Sequence, residues 1–489
     1  MIVLGIDIGT TGCKTLAVDD SGKIVGQAYQ SYPIRTGPGG IAEQNPEDWY
    51  QALVATVRTA TAAQNSPCLA LALSTQGASS LLIDQNHQPL TPALSWMDTR
   101  AEHQAAAIKE HLGDDTIYQT TGWPCESSLD MAKYAWLYEE APEQVRQAAA
   151  YVSTLDYIQL RLTGQLCIDP SNAAMRQLMD IEAQRWDPRI LDEINLPESL
   201  LPTIRKSGER IGTLTPTAAA DLGLDPSVEV ILGAHDQYCG AIGAMALDPG
   251  DIVLSTGTAW ALLATVDHLV YSPSRLSPGP HALPGLYGAL ASISAGGMAL
   301  DWLNQKITGL DYAAMESWLA DSPARHPNLL FYPYLAGASH PTWQARQMGV
   351  FLGLELGHDR FDLTLACMEG LAFQTRLILD DFAQAGIPVQ RIKVIGGATR
   401  SPSWMGILQA VCGIPLDILE ISNAASLGAA AIAGVGCSLF SDYTEAAVKM
   451  TAQTRTLPVI STDQVFYHHK YQNFKDHLSV SGYSGNGGS

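Results

Sequence analysis

Apolar runs that stop at glycine and threonine punctuate this chain, and two of them are built alike. Ile2 to Ile6 leads into Asp7-Ile8-Gly9-Thr10-Thr11-Gly12 and a second apolar run from Leu16 to Val18. Near mid-chain, Ile252 to Leu254 leads into Ser255-Thr256-Gly257-Thr258 and then Ala259 to Thr265. Each reads as strand, tight turn, strand. Glycine lets backbone approach a ligand with no Cβ in the way, and threonine adds hydroxyl donors beside open N–H groups, which suits a polyphosphate. The echo predicts two related lobes closing on one nucleotide, whereas the Gly-Thr pairs taken alone would also fit two ordinary hairpins.

The first lobe opens with strands expected at 2–7, 13–18 and 24–28, the last two joined by the turn triplet Asp20-Ser21-Gly22. Asn45-Pro46-Glu47-Asp48 then starts a helix, with Asn as N-cap, Pro at the first helical position and acids in the first turn. Strands at 68–74 and 80–84 and a helix from about 101 continue a mixed α/β order. From about 101 to 225 helical patterns dominate, broken at Pro124, Pro142, Pro170, Pro188 and Pro202, as expected of an insertion that walls a substrate site. Val228 to Ala234 returns to a sheet and ends at His235-Asp236.

From 247 the order restarts, with strands near 251–256 and 260–265, helices near 297–307 and 312–320, and a long helix from about 360 to 385. Ile392 to Ile395 forms a strand ending in Gly396-Gly397-Ala398-Thr399-Arg400-Ser401, followed by a helix through Val411. That sequence of elements suits an anion or a purine lying on bare backbone, and it also suits an ordinary strand-to-helix loop. The uncharged run Ala424 to Ser441 has few large apolar residues and reads as a buried, closely packed helix rather than a membrane span. The expected domains are 1–246, 247–440 and an extension 441–489, whose end, Ser481 to Ser489, is a Gly/Ser-rich tail.

A chain of 489 residues is too long for one core, which agrees with two lobes. Its formal net charge of −21, with only 28 Lys and Arg, argues against nucleic acid or an anionic membrane as partner, since both need a basic face. Eight cysteines are scattered with no C-x-x-C pair, so neither a zinc site nor a disulfide framework is expected. With no signal-peptide pattern at the start, the expected location is cytoplasmic, and the expected assembly, if any, is a homodimer.

The chemistry narrows by elimination. There is no G-x-x-x-x-G-K-[ST], no H-E-x-x-H and no G-x-S-x-G, and the loose Gly37, Gly39, Ala42 triplet lies in a Pro/Gly-rich loop where no helix opens. Two acids at strand ends remain, Asp7 and Asp236, expected at matched points of the two lobes and facing one cleft. Phosphoryl transfer needs charge neutralisation by Mg²⁺, a cradle for the transferred oxygens and a base for the acceptor's proton. Asp7 is the candidate metal ligand and Asp236 the candidate base; a local turn cap is the commoner use of any single Asp at a strand end.

Several segments together resemble the FGGY carbohydrate kinases. They are Asp7-Ile-Gly-Thr-Thr11, Trp96-Met-Asp98-Thr-Arg100-Ala101, Gly233-Ala-His-Asp236-Gln237, Ser255-Thr-Gly-Thr258, Gly396-Gly-Ala-Thr-Arg-Ser401 and Ala425-Ser-Leu-Gly-Ala-Ala430, in this order. Gly349-Val-Phe-Leu-Gly-Leu354 with Asp362-Leu363 and Ala366-Cys-Met-Glu369 also fits, Cys367 being the departure; so does Lys133-Tyr-Ala-Trp136-Leu, with Asp130 where a small or hydroxyl residue is usual. The resemblance spans roughly residues 1 to 440. It implies an α/β fold of two ribonuclease-H-like domains, of the actin and sugar-kinase type, with a cleft between them, ATP and Mg²⁺ as cofactors and a small sugar or polyol as substrate. Carried over by position, Asp7, Thr10 and Thr11 would meet Mg²⁺ and phosphate, with Lys14 nearby. Gly257 and Thr258 would contact the phosphates from the other side, Gly396, Gly397 and Ala398 would border the adenosine, and Asp236 would be the base.

The sugar side departs from the xylulose-phosphorylating members that the chain resembles most. Those usually carry Gln-Met-His-Gly where this chain has Gln76-Gly77-Ala78-Ser79, and Asn where it has Gln237. Small residues there are expected to leave room for a larger or differently oriented substrate, because a site built to bond a hydroxyl discriminates strongly. Gln76, Gly77, Ala78, Asp98, Arg100, Asp236 and Gln237 are the candidate substrate contacts; a local ion pair is the other reading of Asp98 and Arg100. Three functions stay open: a D-xylulose kinase, a kinase of another acceptor such as ribulose, ribitol or erythritol, and a nucleotide-driven clamp of the actin and chaperone type.

Overall fold

Strand β1 (Ile2–Ile8) buries every residue except Asp7, which keeps partial access to solvent at its carboxyl end. Around it the computed structural model builds a six-stranded sheet from β2 (Gly12–Asp19), β3 (Ile24–Ser31), β4 (Cys68–Thr75), β5 (Arg210–Thr213) and β6 (Glu229–His235), in the order β5-β6-β4-β1-β2-β3. Strands β1, β4 and β6 run parallel, β2 runs antiparallel to β1, and β3 runs antiparallel to β2. The structure describes all residues except 65, 322–325, 342, 344–346, 421–422, 451–453, 460–462 and 479–489. The expected tail Ser481 to Ser489 therefore lies outside the described residues.

A second sheet repeats the plan with β7 (Ile252–Thr256), β8 (Trp260–Val266), β9 (Ser277–Pro280), β10 (Tyr287–Ile293), β11 (Ile392–Gly396), β12 (Leu416–Leu419) and β13 (Thr454–Leu457), ordered β9-β10-β8-β7-β11-β12-β13. Here β7, β11 and β12 are the parallel set, β8 runs antiparallel to β7, and β10 runs antiparallel to β8. Each lobe is thus an α/β domain of the ribonuclease-H-like, actin and sugar-kinase type, with a cleft where the parallel strands end. Asn45 caps the helix Pro46–Thr61 as its side chain accepts from the Glu47 N–H.

Two helices weld the lobes together. Asp236–Gly243 leaves β6, and Ala424–Gly436, which follows β12 in sequence, packs on that helix and on the first-lobe sheet. The contact is backbone against backbone. A Cβ at Gly428 would collide with the Cys239 carbonyl, and one at Gly5 in β1 with the Ser426 carbonyl, so glycine is the residue these crossings admit. That is why the run Ala424 to Ser441 is so poor in large residues.

After 440 the helix Tyr443–Met450 packs on Ala424–Gly436 and Asp236–Gly243, with Lys449 Nζ donating to Asp20 O of the first lobe at 3.3 Å, and the chain then joins the second lobe. Strand β13 pairs with β12, and the helix Gln464–Asp476 docks through Tyr471, Phe474 and Lys470. A smaller five-stranded sheet, made from residues 35–37, 41–44, 80–83, 93–94 and 150–153, flanks the segments 76–79 and 95–98. Among the described residues no helix is long and apolar enough to cross a membrane.

Candidate active site

Parallel strands present their carboxyl ends at one sheet edge, and both acids singled out from the sequence stand there. In register, Asp7 of β1 faces Ser74 of β4, which faces Ala234 of β6, two residues before Asp236. The two carboxylates therefore do not oppose each other from matched points of two lobes, as the sequence pattern suggested. They sit on one sheet, two strands apart, because β4 inserts between β1 and β6.

Their electrostatics follow from that placement. Burial, and then the charge of Asp236, raise the Asp7 pKa to about 7, against a hydrogen bond from Ser74 Oγ at 2.7 Å. Burial raises Asp236 to about 6, while hydrogen bonds from Gln237 pull it down; its side chain remains 29% exposed. His235, just before it, is held neutral by burial, with its pKa lowered to about 4.

A carboxyl with a raised pKa binds more protons folded than unfolded, so its contribution to stability falls as pH rises from about 4 through about 7. Each such pKa unit corresponds to about 1.4 kcal/mol. Asp7→Asn is expected to unfold at a higher temperature than wild type near neutral pH without divalent cations, the gap closing towards acid. Thermal scans across that range check it, and a variant that melts lower throughout would contradict the placement.

The first glycine turn is braced from beneath. Gly9 N–H donates to Gly12 O at 3.0 Å, Gln44 Nε2 to Thr10 O at 2.7 Å and Trp96 Nε1 to Thr10 Oγ1 at 2.8 Å, leaving Thr11 exposed. Lys14 lies one strand over, its Nζ 5.9 Å from the Tyr29 ring. In the second lobe Gly257 and Thr258 are exposed at the mouth of a cavity of about 540 Å³, which Gly397 and Ala398 also line. Thr256 ties the two turns together, donating to Ile395 O at 2.7 Å and accepting from Ala398 N–H at 3.2 Å. Gly396 adopts φ +101°, open to glycine alone at little strain.

Tyr312, Glu316 and Trp404 also line that cavity and were not named as site residues from the sequence. Glu316 accepts from Ser401 Oγ and from Ser403, bracing the helix start beneath the glycine turn. Only Trp404, just beyond the Gly-Gly-Ala-Thr-Arg-Ser run, carried a positional hint.

The loop expected to meet the acceptor is more closed than its small residues suggested. Gln76, Gly77, Ala78 and Asp98 are all buried. Gln76 Nε2 donates to Gln44 Oε1 at 2.8 Å, linking this loop to the Thr10 turn. Asp98 is consumed by the local ion pair: Arg100 Nη2 stands 2.6 Å from one carboxylate oxygen and 2.8 Å from Glu43, and Ala42 N–H donates to Asp98 at 2.8 Å. Ala78 adopts φ +46°, and its carbonyl accepts from the fully buried Lys133 Nζ at 2.6 Å. The room expected at Gly77 is taken by the His235 ring and Met175.

Two family models account for most of the chain. "FGGY family of carbohydrate kinases, N-terminal domain" matches residues 2–243, and "FGGY family of carbohydrate kinases, C-terminal domain" matches residues 252–437. The chain belongs to the FGGY family of carbohydrate kinases. This FGGY kinase is 28% identical to the xylulose kinase of Bacillus subtilis over 91% of its own length and 90% of that protein's. It is also 28% identical to the gluconokinase of the same species, over 87% and 86%. A solved structure described as a xyloylose kinase from Brucella ovis superposes with a TM-score of 0.90 at 27% identity, covering 98% of this chain and 99% of that one.

FGGY kinases use ATP and Mg²⁺. The donor set fits such a metal: two carboxylates whose mutual repulsion is relieved by a divalent cation, with oxygen the atom type that Mg²⁺ prefers. Asp7 would hold it, with Asp236 close behind. When bound, Mg²⁺ would neutralise phosphate charge.

Proposed function

We propose that this FGGY kinase transfers the terminal phosphoryl group of ATP to a hydroxyl of a small neutral sugar, D-xylulose by default, to give D-xylulose 5-phosphate. The observation that carries the reading is Asp236 itself. It is a partly exposed carboxylate at the cleft edge whose pKa of about 6 lets it be ionised at neutral pH and still accept a proton. Asp7 is assigned to Mg²⁺, and Thr10, Thr11 and Lys14 to the phosphates from one side. Gly257 and Thr258 are assigned to them from the other, with Gly396, Gly397 and Ala398 along the adenosine. The acceptor is read by Asp236 and Gln237, with Gln76, Gly77, Ala78, Asp98 and Arg100 shaping the wall behind.

A neutral acceptor is favoured over gluconate, the substrate named for some relatives, by the state of the nearby cations. Arg100 is already matched by Asp98 and Glu43, and Lys133 by the carbonyls of Ala78 and Leu94. An anionic acceptor would have to break one of those sets. In a coupled ADP assay over pentuloses, hexuloses, ribitol, erythritol and gluconate, D-xylulose is expected to show the highest kcat/KM. Another acceptor at least about tenfold better, a transition-state preference of about 1.4 kcal/mol, would displace xylulose and leave the kinase reading standing. ATP turnover that ignores every added polyol would instead favour a clamp of the actin and chaperone type.

A further inference from the structure

His235 ends β6 and Asp236 begins the next helix, so the two side chains leave the backbone at a change of direction. The imidazole is wedged on several sides. Gly77 abuts it: a Cβ there would stand 2.8 Å from the ring Cδ2 and 2.9 Å from Nε2. Tyr238 meets the ring edge-on, with centroids 6.0 Å apart, and is itself edged by His281 at 4.9 Å. The His235 backbone N–H donates to Ser171 Oγ at 3.0 Å, which in turn donates to Asp169.

Of the two ring nitrogens, Nε2 lies 3.3 Å from Asp236 Oδ1. Nδ1 is buried with no hydrogen-bond partner among the described residues. A neutral imidazole has one N–H to donate, and the neighbouring carboxylate makes Nε2 its place.

We propose that His235 is a positioning residue for the transfer reaction, its Nε2–H holding one oxygen of Asp236 so that the other faces the acceptor hydroxyl, with Gly77 as the residue that admits the ring. The proposal rests on the reading of Asp236 as the base. A carboxylate on a short side chain can rotate out of line, and a base misplaced by about 1 Å loses about a hundredfold in rate. A wedged imidazole removes that freedom without contacting the substrate. The glycine in the acceptor loop is then half of a pair: any side chain at 77 displaces the ring, and the displaced ring releases the base.

The test compares His235→Leu, His235→Gln, His235→Ala, Gly77→Ala and the double variant Gly77→Ala/His235→Ala, reading kcat, KM for ATP and melting temperature. His235→Leu is expected to lower kcat about ten- to hundredfold while KM for ATP stays within about twofold. His235→Gln, whose amide N–H reaches the place of Nε2, is expected to recover most of that loss. Gly77→Ala is expected to lower kcat about tenfold in the wild-type background and less than about twofold when His235 is already Ala, the non-additivity of a contacting pair. Where His235→Leu does not fold, Gly77→Ala, which leaves the histidine in place, carries the test.

A His235→Leu enzyme with kcat within about twofold of wild type, a Gln variant as slow as the Leu variant, or an additive double variant would each overturn the proposal. Those outcomes are distinct from a failure of the base assignment. That failure would show as near-normal turnover in Asp236→Asn, whereas a slow Asp236→Asn beside unaffected His235 variants defeats the positioning role alone.

Discussion

Asp236→Asn is expected to turn over about two to four orders of magnitude more slowly than wild type, the usual worth of a positioned general base. Asn keeps the size of the side chain and can still accept from Gln237, so ATP affinity should be nearly unchanged; the melting temperature near neutral pH should be at or above that of wild type, since a buried carboxyl with a raised pKa no longer has to ionise. The loss should appear in kcat and kcat/KM together, the mark of an interaction needed only in the transition state. Steady-state kinetics with the best acceptor, paired with ATP binding by calorimetry, separates this from a folding defect. Near-normal turnover would remove Asp236 from the chemistry and leave its raised pKa a consequence of burial alone.

The second large effect lies in the interior of the second lobe. Lys470, on the helix Gln464–Asp476, makes an ion pair with Glu369 of the helix Arg360–Gln384, both side chains only 2% exposed. Removing the ammonium leaves a carboxylate in a low-dielectric interior, which typically destabilises a protein by about 3–5 kcal/mol. Lys470→Met should therefore lower the denaturation midpoint strongly, and Lys470→Met with Glu369→Leu should recover most of the loss, because an apolar pair of similar volume is often neutral. Urea unfolding of the three proteins decides it. A single variant as stable as wild type would mean that the carboxylate reaches water or another cation once Lys470 is gone.

The contrast between these residues shows what sequence pattern can reveal. Asp236 was legible because an apolar run stops at it, and a polar group at the end of a buried strand stands at a sheet edge. Lys470 was not: a lysine on a polar-looking terminal helix reads as solvated, and only the docking of that helix onto Phe373 and Tyr332 puts it inside. Strands β9, β10, β12 and β13 were likewise missed. Ser277–Pro280 and Thr454–Leu457 are short and poor in β-branched apolar residues, so pairing with neighbours, and not local preference, makes them strands.

The acceptor loop is the instructive failure. Gly77 and Ala78 in sequence suggest space, and in the fold there is none, because His235 and Met175 arrive from other elements to fill it. Asp98 and Arg100 stood undecided between sugar contact and ion pair. The pairing of Arg100 with Glu43, 57 positions away, is what draws the cluster into the wall.

By itself the sequence determined the two-lobe plan, the strand-turn-strand cradles, the glycine turn after β11, the helix that must be small-residued to pack, and the two acids at strand ends. All of these are encoded by residues near one another in the chain, through period, turn chemistry and the steric freedom of glycine. Only the tertiary structure decided that Asp7 and Asp236 share one sheet edge, that β4 lies between them, and that the imidazole before Asp236 occupies the space above Gly77. Those facts depend on strand order and on which side chains meet across it, and hydrogen bonding between strands is blind to how far apart its partners lie in the chain.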